Sequence, residues 1–129
     1  MIKKMLLLLA VMVCTVGLSA AEFPTITIPQ LKTAIDQHAV VLFDVNGTDS
    51  WQQGHIPGAF DYIANEGKMA SLLPKDKNAL VVAYCANPHC PAYLAAATAA
   101  KKLGYTNVQH LSAGIEGWKA AGEKTETGG

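Results

Sequence analysis

The chain contains no arginine, so all ten of its Lys and Arg residues are lysines. A guanidinium grips a phosphate or a sulfonate through two parallel hydrogen bonds, whereas an ammonium can replace it only as a point charge. The absence therefore excludes a catalytic site that depends on a bidentate grip of a dianionic group. It also restricts how a negatively charged substrate can be held.

A long apolar run is missing as well. The run over residues 5–17 is shorter than the ~20 residues of a membrane-spanning helix, and it follows Lys3 and Lys4. Ser19-Ala20-Ala21 then gives the small-x-small pattern of a cleavage site. This pattern predicts a signal peptide over residues 1–21, a mature domain over residues 22–129 and export to the periplasm or the cell exterior, with no membrane attachment after cleavage. The alternative is an uncleaved N-terminal anchor.

Charge of one sign is not in excess either. Ten basic residues balance ten acidic ones, and loss of Lys3 and Lys4 with the signal peptide would leave eight against ten, a formal charge of 8 − 10 = −2. Such a chain offers no basic surface for a phosphate backbone. We therefore expect no nucleic-acid partner. The modest charge, with no obvious apolar surface stripe, makes a monomer the default expectation.

Cysteine is scarce: there are three, and Cys14 falls in the predicted signal peptide. The other two, Cys85 and Cys90, lie between an apolar run that predicts a buried strand over residues 79–84 and an alanine-rich helical segment that starts at Pro91. Loop N–H groups and the positive end of a helix both favour a thiolate at such a position. In an oxidising compartment the pair can be a disulfide, a redox couple or part of a metal site.

His89 adds a third possible soft-metal ligand beside Cys85 and Cys90. The spacing matches no common zinc module, and three ligands are few. We expect no metal and no cofactor, and we expect His89 to be an exposed loop residue. The role of Cys90 stays open. It can be a resolving partner of Cys85, its disulfide partner, or a residue that only occupies the start of the helix.

Hydrophobic periodicity predicts alternating strands and helices. Strands are expected over residues 25–28, 40–45, 60–63, 79–84 and 107–110. Helices are expected over residues 29–37, 48–53, 65–72, 91–103 and 113–121, with Thr48 as a cap, and a frayed polar tail over residues 122–129. This order favours an α/β layer fold with a largely parallel sheet, whose functional site lies beyond the carboxyl ends of the strands. Asp44 and Cys85 both lie at such ends.

Four segments carry a resemblance to a known family. Residues 42–45, 54–59, 82–85 and 103–108 read Leu-Phe-Asp-Val, Gly-His-Ile-Pro-Gly-Ala, Val-Ala-Tyr-Cys and Leu-Gly-Tyr-Thr-Asn-Val. In this order, and over essentially the whole mature chain, they resemble the rhodanese family in its single-domain form.

The resemblance implies a three-layer fold, in which helices flank a mostly parallel sheet of five strands. It implies that Cys85 is a nucleophile that carries sulfane sulfur as a persulfide, cradled by the loop that includes Ala86, Asn87, His89 and Cys90. It further implies a sulfurtransferase or a sulfur carrier, with a small sulfur-containing donor and a thiol acceptor as partners.

The loop departs from the form Cys-x-x-Gly-x-Arg-Ser that many single-domain relatives have. Pro88, Cys90 and Pro91 stand at the glycine, arginine and serine positions. The two prolines remove backbone donors, and the lost arginine removes the bidentate fork for a sulfonate. We therefore expect weak activity with thiosulfate. The related phosphatase chemistry, which needs that arginine, is not expected.

Asp44 and His55 occupy motif positions that we interpret as structural supports. In this interpretation Asp44 accepts N–H bonds from a loop and His55 fixes the turn over residues 54–59; the alternative is a direct acid–base role. Two further functions stay open. The chain can be a thiol–disulfide redox protein that uses Cys85 and Cys90, or a binding module that keeps the fold without catalysis.

Overall fold

The computed structural model describes residues 23–129. The predicted signal peptide, with Cys14, lies outside the described residues. Within the described part of the chain, no helix is both long enough and apolar enough to cross a bilayer.

A sheet of parallel strands forms the centre of the domain. The strands are β1 (Val41–Asp44), β2 (Phe60–Asp61), β3 (Val81–Tyr84) and β4 (Val108–His110), in the spatial order β2-β1-β3-β4. Asp44 pairs with Tyr84 at the carboxyl ends of the two central strands. Strands buried on both faces read as continuous apolar runs, which is why the sequence predicts β1 and β3 well. The predicted α/β fold with a parallel sheet is confirmed.

Within residues 23–129 the sheet has four strands, where five are predicted. Of the segment predicted as an edge strand over residues 25–28, only a parallel bridge between Thr25 and His110 forms. The reason is local, because the Thr27 hydroxyl accepts from the N–H of Gln30 and the Gln30 side chain accepts from the N–H of Thr27. This capping box starts a helix at Ile28 and ends the extended segment.

Helices cover both faces of the sheet. They are α1 (Ile28–Asp36), α2 (Thr48–Gln53), α3 (Tyr62–Asn65), α4 (Met69–Leu72), α5 (Tyr93–Lys102) and α6 (Gly114–Ala120), with a 3₁₀ turn over Glu66–Lys68. On one face Phe43 and Ala83 pack in one cluster with residues of α3, α4 and α5. On the other face Leu42, Val82 and Tyr84 pack in a second cluster with residues of α1 and α6. Strand neighbours alternate between these clusters, as the pleat requires.

Several bounds and one cap differ from the prediction, and α5, for example, begins at Tyr93 instead of residue 91. β2 stops at Asp61 instead of residue 63 because the Asp61 carboxylate accepts from the N–H of Ala64 and caps α3. The single helix predicted over residues 65–72 is broken by the 3₁₀ turn, where Gly67 lowers the helix propensity. Gly47, with φ of 97°, caps α2, and Thr48 is the first helical residue.

Residues 122–129 run back over the domain. The backbones of His55 and Glu126 exchange two hydrogen bonds of 2.9 Å, and the N–H of Gly128 donates to the Gln52 carbonyl. The Trp118 indole N–H donates to the carbonyl of Lys124. These contacts connect α6 with the loop that follows α2. The flexibility expected for this tail stays a prediction.

Candidate functional site

Cys85 is the first residue after β3, on the face of the sheet covered by α5. Its side chain is 3% exposed and belongs to the same cluster as Ala83, Ala96 and Ala97. Tyr84 points to the opposite face, as the alternation of strand neighbours predicts. Apolar residues of α5 therefore surround Cys85 on one side, and the loop over residues 86–92 lies on its other side.

The loop closes through a β-turn over residues 87–90. The N–H of Cys90 donates to the Asn87 carbonyl at 3.2 Å, and the N–H of His89 donates to the Asn87 side-chain oxygen at 3.0 Å. Pro88 stands at the second position of this turn, where its fixed φ is favourable. The proline thus stabilises the turn. The N–H groups of His89 and Cys90, expected to cradle the sulfur, donate to Asn87.

The sulfur of Cys85 forms hydrogen bonds with the backbone of the loop and of α5. It accepts from the N–H of Tyr93, the first residue of α5, at 3.1 Å, and its own S–H donates to the carbonyl of Cys90 at 3.3 Å. The Ala86 N–H also contributes. Burial, followed by the hydrogen bond with the Cys90 side chain, raises the pKa of Cys85 from an ordinary 9.0 to about 12, against the lowering by Tyr93 and Ala86. In this geometry Cys85 is a thiol.

Cys90 has a different environment. Both cysteines are free, and Cys90 is half-buried where Cys85 is buried. Burial opposes ionisation of Cys90, but the interactions with the Cys85 side chain and with the N–H groups of Ala92 and Ala86 outweigh it, so that the pKa of Cys90 is lowered. Cys90 is therefore the more acidic thiol of the pair.

Helix α6 fixes the start of the loop. The N–H groups of Ile115 and Glu116 donate to the carbonyls of Cys85 and Ala86 at 2.9 and 3.0 Å. Gly114 has φ of 64°, and a Cβ there would lie 2.4 Å from the Ala86 carbonyl carbon and oxygen. No motif in the sequence predicts the N–H donors of Ile115 and Glu116, although a glycine where a helix begins, as Gly114 is, is a signal for close backbone approach.

Asp44 reaches its loop through a tyrosine. The Tyr84 hydroxyl donates to one oxygen of Asp44 at 2.7 Å and accepts from the N–H of Ile56 at 3.0 Å, while the other oxygen accepts from the N–H of Asn46 at 2.8 Å. Burial raises the pKa of Asp44, and these hydrogen bonds partly offset it. Asp44 and Tyr84 lie on the face of the sheet opposite Cys85. Asp44 and Tyr84 therefore position the backbone at Asn46 and at Ile56.

His55 is buried in a stack with Trp51, their ring centroids 4.2 Å apart. Its Nδ1 lies 2.8 Å from the Trp51 carbonyl oxygen, and its Nε2 lies 3.7 Å from a carboxylate oxygen of Glu126. The contacts of His55 are thus with α2 and the C-terminal tail. Among residues 23–129, no group of three or more His, Cys, Asp or Glu side chains forms a potential metal site, and His89 is exposed.

Comparison with known proteins adds a family and relatives. A family model described as the rhodanese-like domain matches residues 27–121. The chain is 29% identical over 105 residues to thiosulfate sulfurtransferase GlpE of Pseudoalteromonas translucida. The aligned region covers 81% of this chain and 97% of that protein. It is 34% identical over 103 residues to the probable adenylyltransferase/sulfurtransferase MoeZ of Mycobacterium tuberculosis, over 77% of this chain and 25% of that protein.

The fold recurs among solved structures. The 3-mercaptopyruvate sulfurtransferase SseA of Escherichia coli superposes with a TM-score of 0.67 at 18% identity, over 83% of this chain and 51% of that chain. At this identity the likeness concerns the fold alone.

Proposed function

Because the chain belongs to the rhodanese-like domain family, we propose that it is a sulfurtransferase or sulfur carrier that holds sulfane sulfur as a persulfide on Cys85. The relationship to GlpE supports sulfur transfer in general. The observation that carries the persulfide proposal is the contact of Cys85: its sulfur follows β3 and accepts from the first N–H of α5 at 3.1 Å.

The chemistry needs two displacements at sulfur. In the first, the outer sulfur of a donor is transferred to Cys85, the S–S bond of the donor breaks, and the rest of the donor leaves as a thiolate or sulfite while the Cys85 thiol proton is released. In the second, the thiolate of an acceptor attacks the outer sulfur of the Cys85 persulfide and regenerates Cys85. The N–H of Tyr93 and the positive end of α5 stabilise negative charge on the sulfur in both steps.

The donor is expected to be a persulfide in preference to thiosulfate. Thiosulfate carries a charged sulfonate, and the loop over residues 85–92 contains no lysine or arginine to bind it. A persulfide needs no such group. As part of the same proposal, the protein acts as a monomer in the periplasm or outside the cell, with a small sulfur-containing donor and a thiol acceptor.

Thiocyanate formation from cyanide tests the proposal. Wild type should turn over glutathione persulfide faster than thiosulfate, and Cys85→Ser should strongly lower both activities. Lys75→Ala, an exposed turn residue, is the control and should match wild type. Full activity in a folded Cys85→Ser variant would exclude Cys85 as the carrier.

A second function is favoured by the proximity of two free cysteines, because the Cys85 sulfur lies 3.3 Å from the carbonyl oxygen of Cys90. Two free thiols this close in the fold can form a disulfide, which would make the domain a thiol–disulfide redox protein. Titration in glutathione redox buffers separates the two functions. A reversible dithiol–disulfide transition, lost in Cys85→Ser and in Cys90→Ser, together with no sulfur transfer, would support the redox function.

A further inference from the structure

We propose that Cys90 is the thiol that attacks the sulfur donor, and that it passes the sulfur inward to Cys85. This inference rests on the proposed persulfide function and assigns the order of its steps. Cys90 is called the outer thiol below and Cys85 the inner thiol.

Access is the first argument. The inner thiol is 3% exposed, in the cluster that packs under α5. The outer thiol is half-buried, after a turn whose residues Pro88 and His89 are exposed. A donor that approaches from solvent therefore meets the outer thiol without any movement of the helix or the strand.

Hydrogen bonding gives the second argument. The inner thiol donates its proton to the Cys90 carbonyl at 3.3 Å, and ionisation would turn that contact into a repulsion between the sulfur and the carbonyl oxygen. The Cys85 side chain and the N–H groups of Ala92 and Ala86 instead lower the pKa of the outer thiol, against the effect of burial. Because the thiolate is the nucleophile, the outer thiol is the better attacking group at neutral pH.

The proximity of Cys90 to the Cys85 sulfur provides the path inward. The Cys85 sulfur lies 3.3 Å from the carbonyl oxygen of Cys90, and Cys90 packs against the cluster that contains Cys85, so that a sulfur bound to one cysteine lies close to the other. The inner position also keeps the contact of Cys85 with the N–H of Tyr93 at 3.1 Å. The loop thus combines an accessible position for capture with a shielded one for storage.

Both steps balance without an oxidant. In the first, the Cys90 thiolate attacks the outer sulfur of a persulfide R–S–SH, the donor S–S bond breaks, and R–S⁻ leaves, so that Cys90 becomes a persulfide. In the second, the Cys85 sulfur attacks the outer sulfur of that persulfide while its proton passes to the Cys90 sulfur. The Cys90 S–S bond breaks, Cys85 becomes the persulfide, and Cys90 is a thiol again.

A rapid-quench experiment tests the order. Wild-type protein is mixed with glutathione persulfide near neutral pH, quenched with an alkylating agent, and mapped by peptide mass spectrometry. We expect the added sulfur on Cys90 at the earliest times and on Cys85 later. Cys85→Ser should hold the sulfur on Cys90, and Cys90→Ser and Cys90→Ala should load Cys85 about tenfold more slowly or worse.

The outcomes separate this inference from the proposed function. If Cys85 is loaded first in wild type, or at the wild-type rate in both folded Cys90 variants, the order is overturned while the Cys85 persulfide stands. If the second step releases hydrosulfide and leaves a Cys85–Cys90 disulfide, inward transfer is overturned. If no added sulfur reaches Cys85 at any time, the proposed function fails and the inference fails with it.

Discussion

At the scale of the residue, the two cysteines differ because their sulfurs have different hydrogen-bond roles. The Cys85 sulfur is buried, accepts from the N–H of Tyr93 and donates to the Cys90 carbonyl. Cys90 is half-buried, and the Cys85 side chain and the N–H groups of Ala92 and Ala86 lower its pKa against the effect of burial. Residue type is the same, so the difference comes entirely from the loop and from the first turn of α5. It follows that Cys85 contributes to stability as a neutral thiol.

This protonation difference predicts a pH dependence. The folded pKa of Cys85, about 12, lies above its ordinary value of 9.0, so its contribution is complete below pH 9.0 and is lost as pH rises towards 12. We expect the difference in unfolding free energy between wild type and Cys85→Ala to narrow over this window. Urea unfolding at a series of pH values measures it. Parallel curves would contradict the assigned protonation state.

Tyr84 carries a second prediction at the same scale. Tyr84→Phe leaves the buried Asp44 carboxylate and the N–H of Ile56 without the hydroxyl that joins them, so we expect a loss of about 2–3 kcal/mol in chemical unfolding. Tyr62→Phe is the matched control, because Tyr62 is equally a buried tyrosine and its hydroxyl makes a single 3.4 Å bond to the Ala95 carbonyl. Equal losses of unfolding free energy in the two variants would show that the hydrogen bond between Tyr84 and Asp44 does not contribute to stability.

At the scale of the element, the short helix α6 is the part of the scaffold that determines where the loop begins. Its first N–H groups hold the carbonyls of Cys85 and Ala86, and Gly114 allows the close approach. The cysteine loop is therefore anchored from a segment that follows it by almost thirty positions in the chain (Ala86 to Gly114).

Gly114→Ala tests this anchor. The added methyl group would collide with the Ala86 carbonyl in a backbone conformation that already disfavours side chains, so we expect a loss of about 2 kcal/mol or more and slower sulfur loading. Gly67→Ala is the control, since nothing lies within 4 Å of an added Cβ there, and it should keep stability and loading near wild type. Wild-type loading in Gly114→Ala would contradict the anchoring role.

The sequence predicts elements where the physical signal is local. The apolar run over residues 79–84 predicts β3 because a central parallel strand is buried on both faces. The edge strand over residues 25–28 is overestimated because a capping box at Thr27 competes with strand pairing. The cysteine loop is located correctly, yet the N–H that reaches the sulfur is that of Tyr93, beyond the loop residues expected to cradle it. Such contacts depend on tertiary packing, which no spacing in the sequence encodes.

At the scale of the whole molecule, the C-terminal residues join parts that are distant in sequence. Glu126 pairs with His55 through the backbone, Lys124 accepts from Trp118, and Glu123 forms an ion pair with Lys32 at 3.2 Å. The last of these is an exposed pair and contributes little. The backbone contacts predict that the tail stabilises the turn that holds His55.

Truncation after Gly122 distinguishes a bound tail from a frayed one. Loss of the hydrogen bonds made by residues 123–129 should lower the unfolding free energy by about 1–2 kcal/mol, and the N–H of His55 should exchange with solvent faster. Chemical unfolding and hydrogen exchange measure these effects. Unchanged stability and exchange would instead support the flexibility expected from the sequence.

One measurement tests the central claim, that Cys85 stores the transferred sulfur, most directly. The purified protein is incubated with polysulfide to completion, alkylated, and mapped by peptide mass spectrometry. The account predicts a mass increase of about 32 Da, one sulfur atom, on the peptide position of Cys85, removed again by a thiol acceptor. A Cys85 that stays unmodified while the protein remains folded would contradict it.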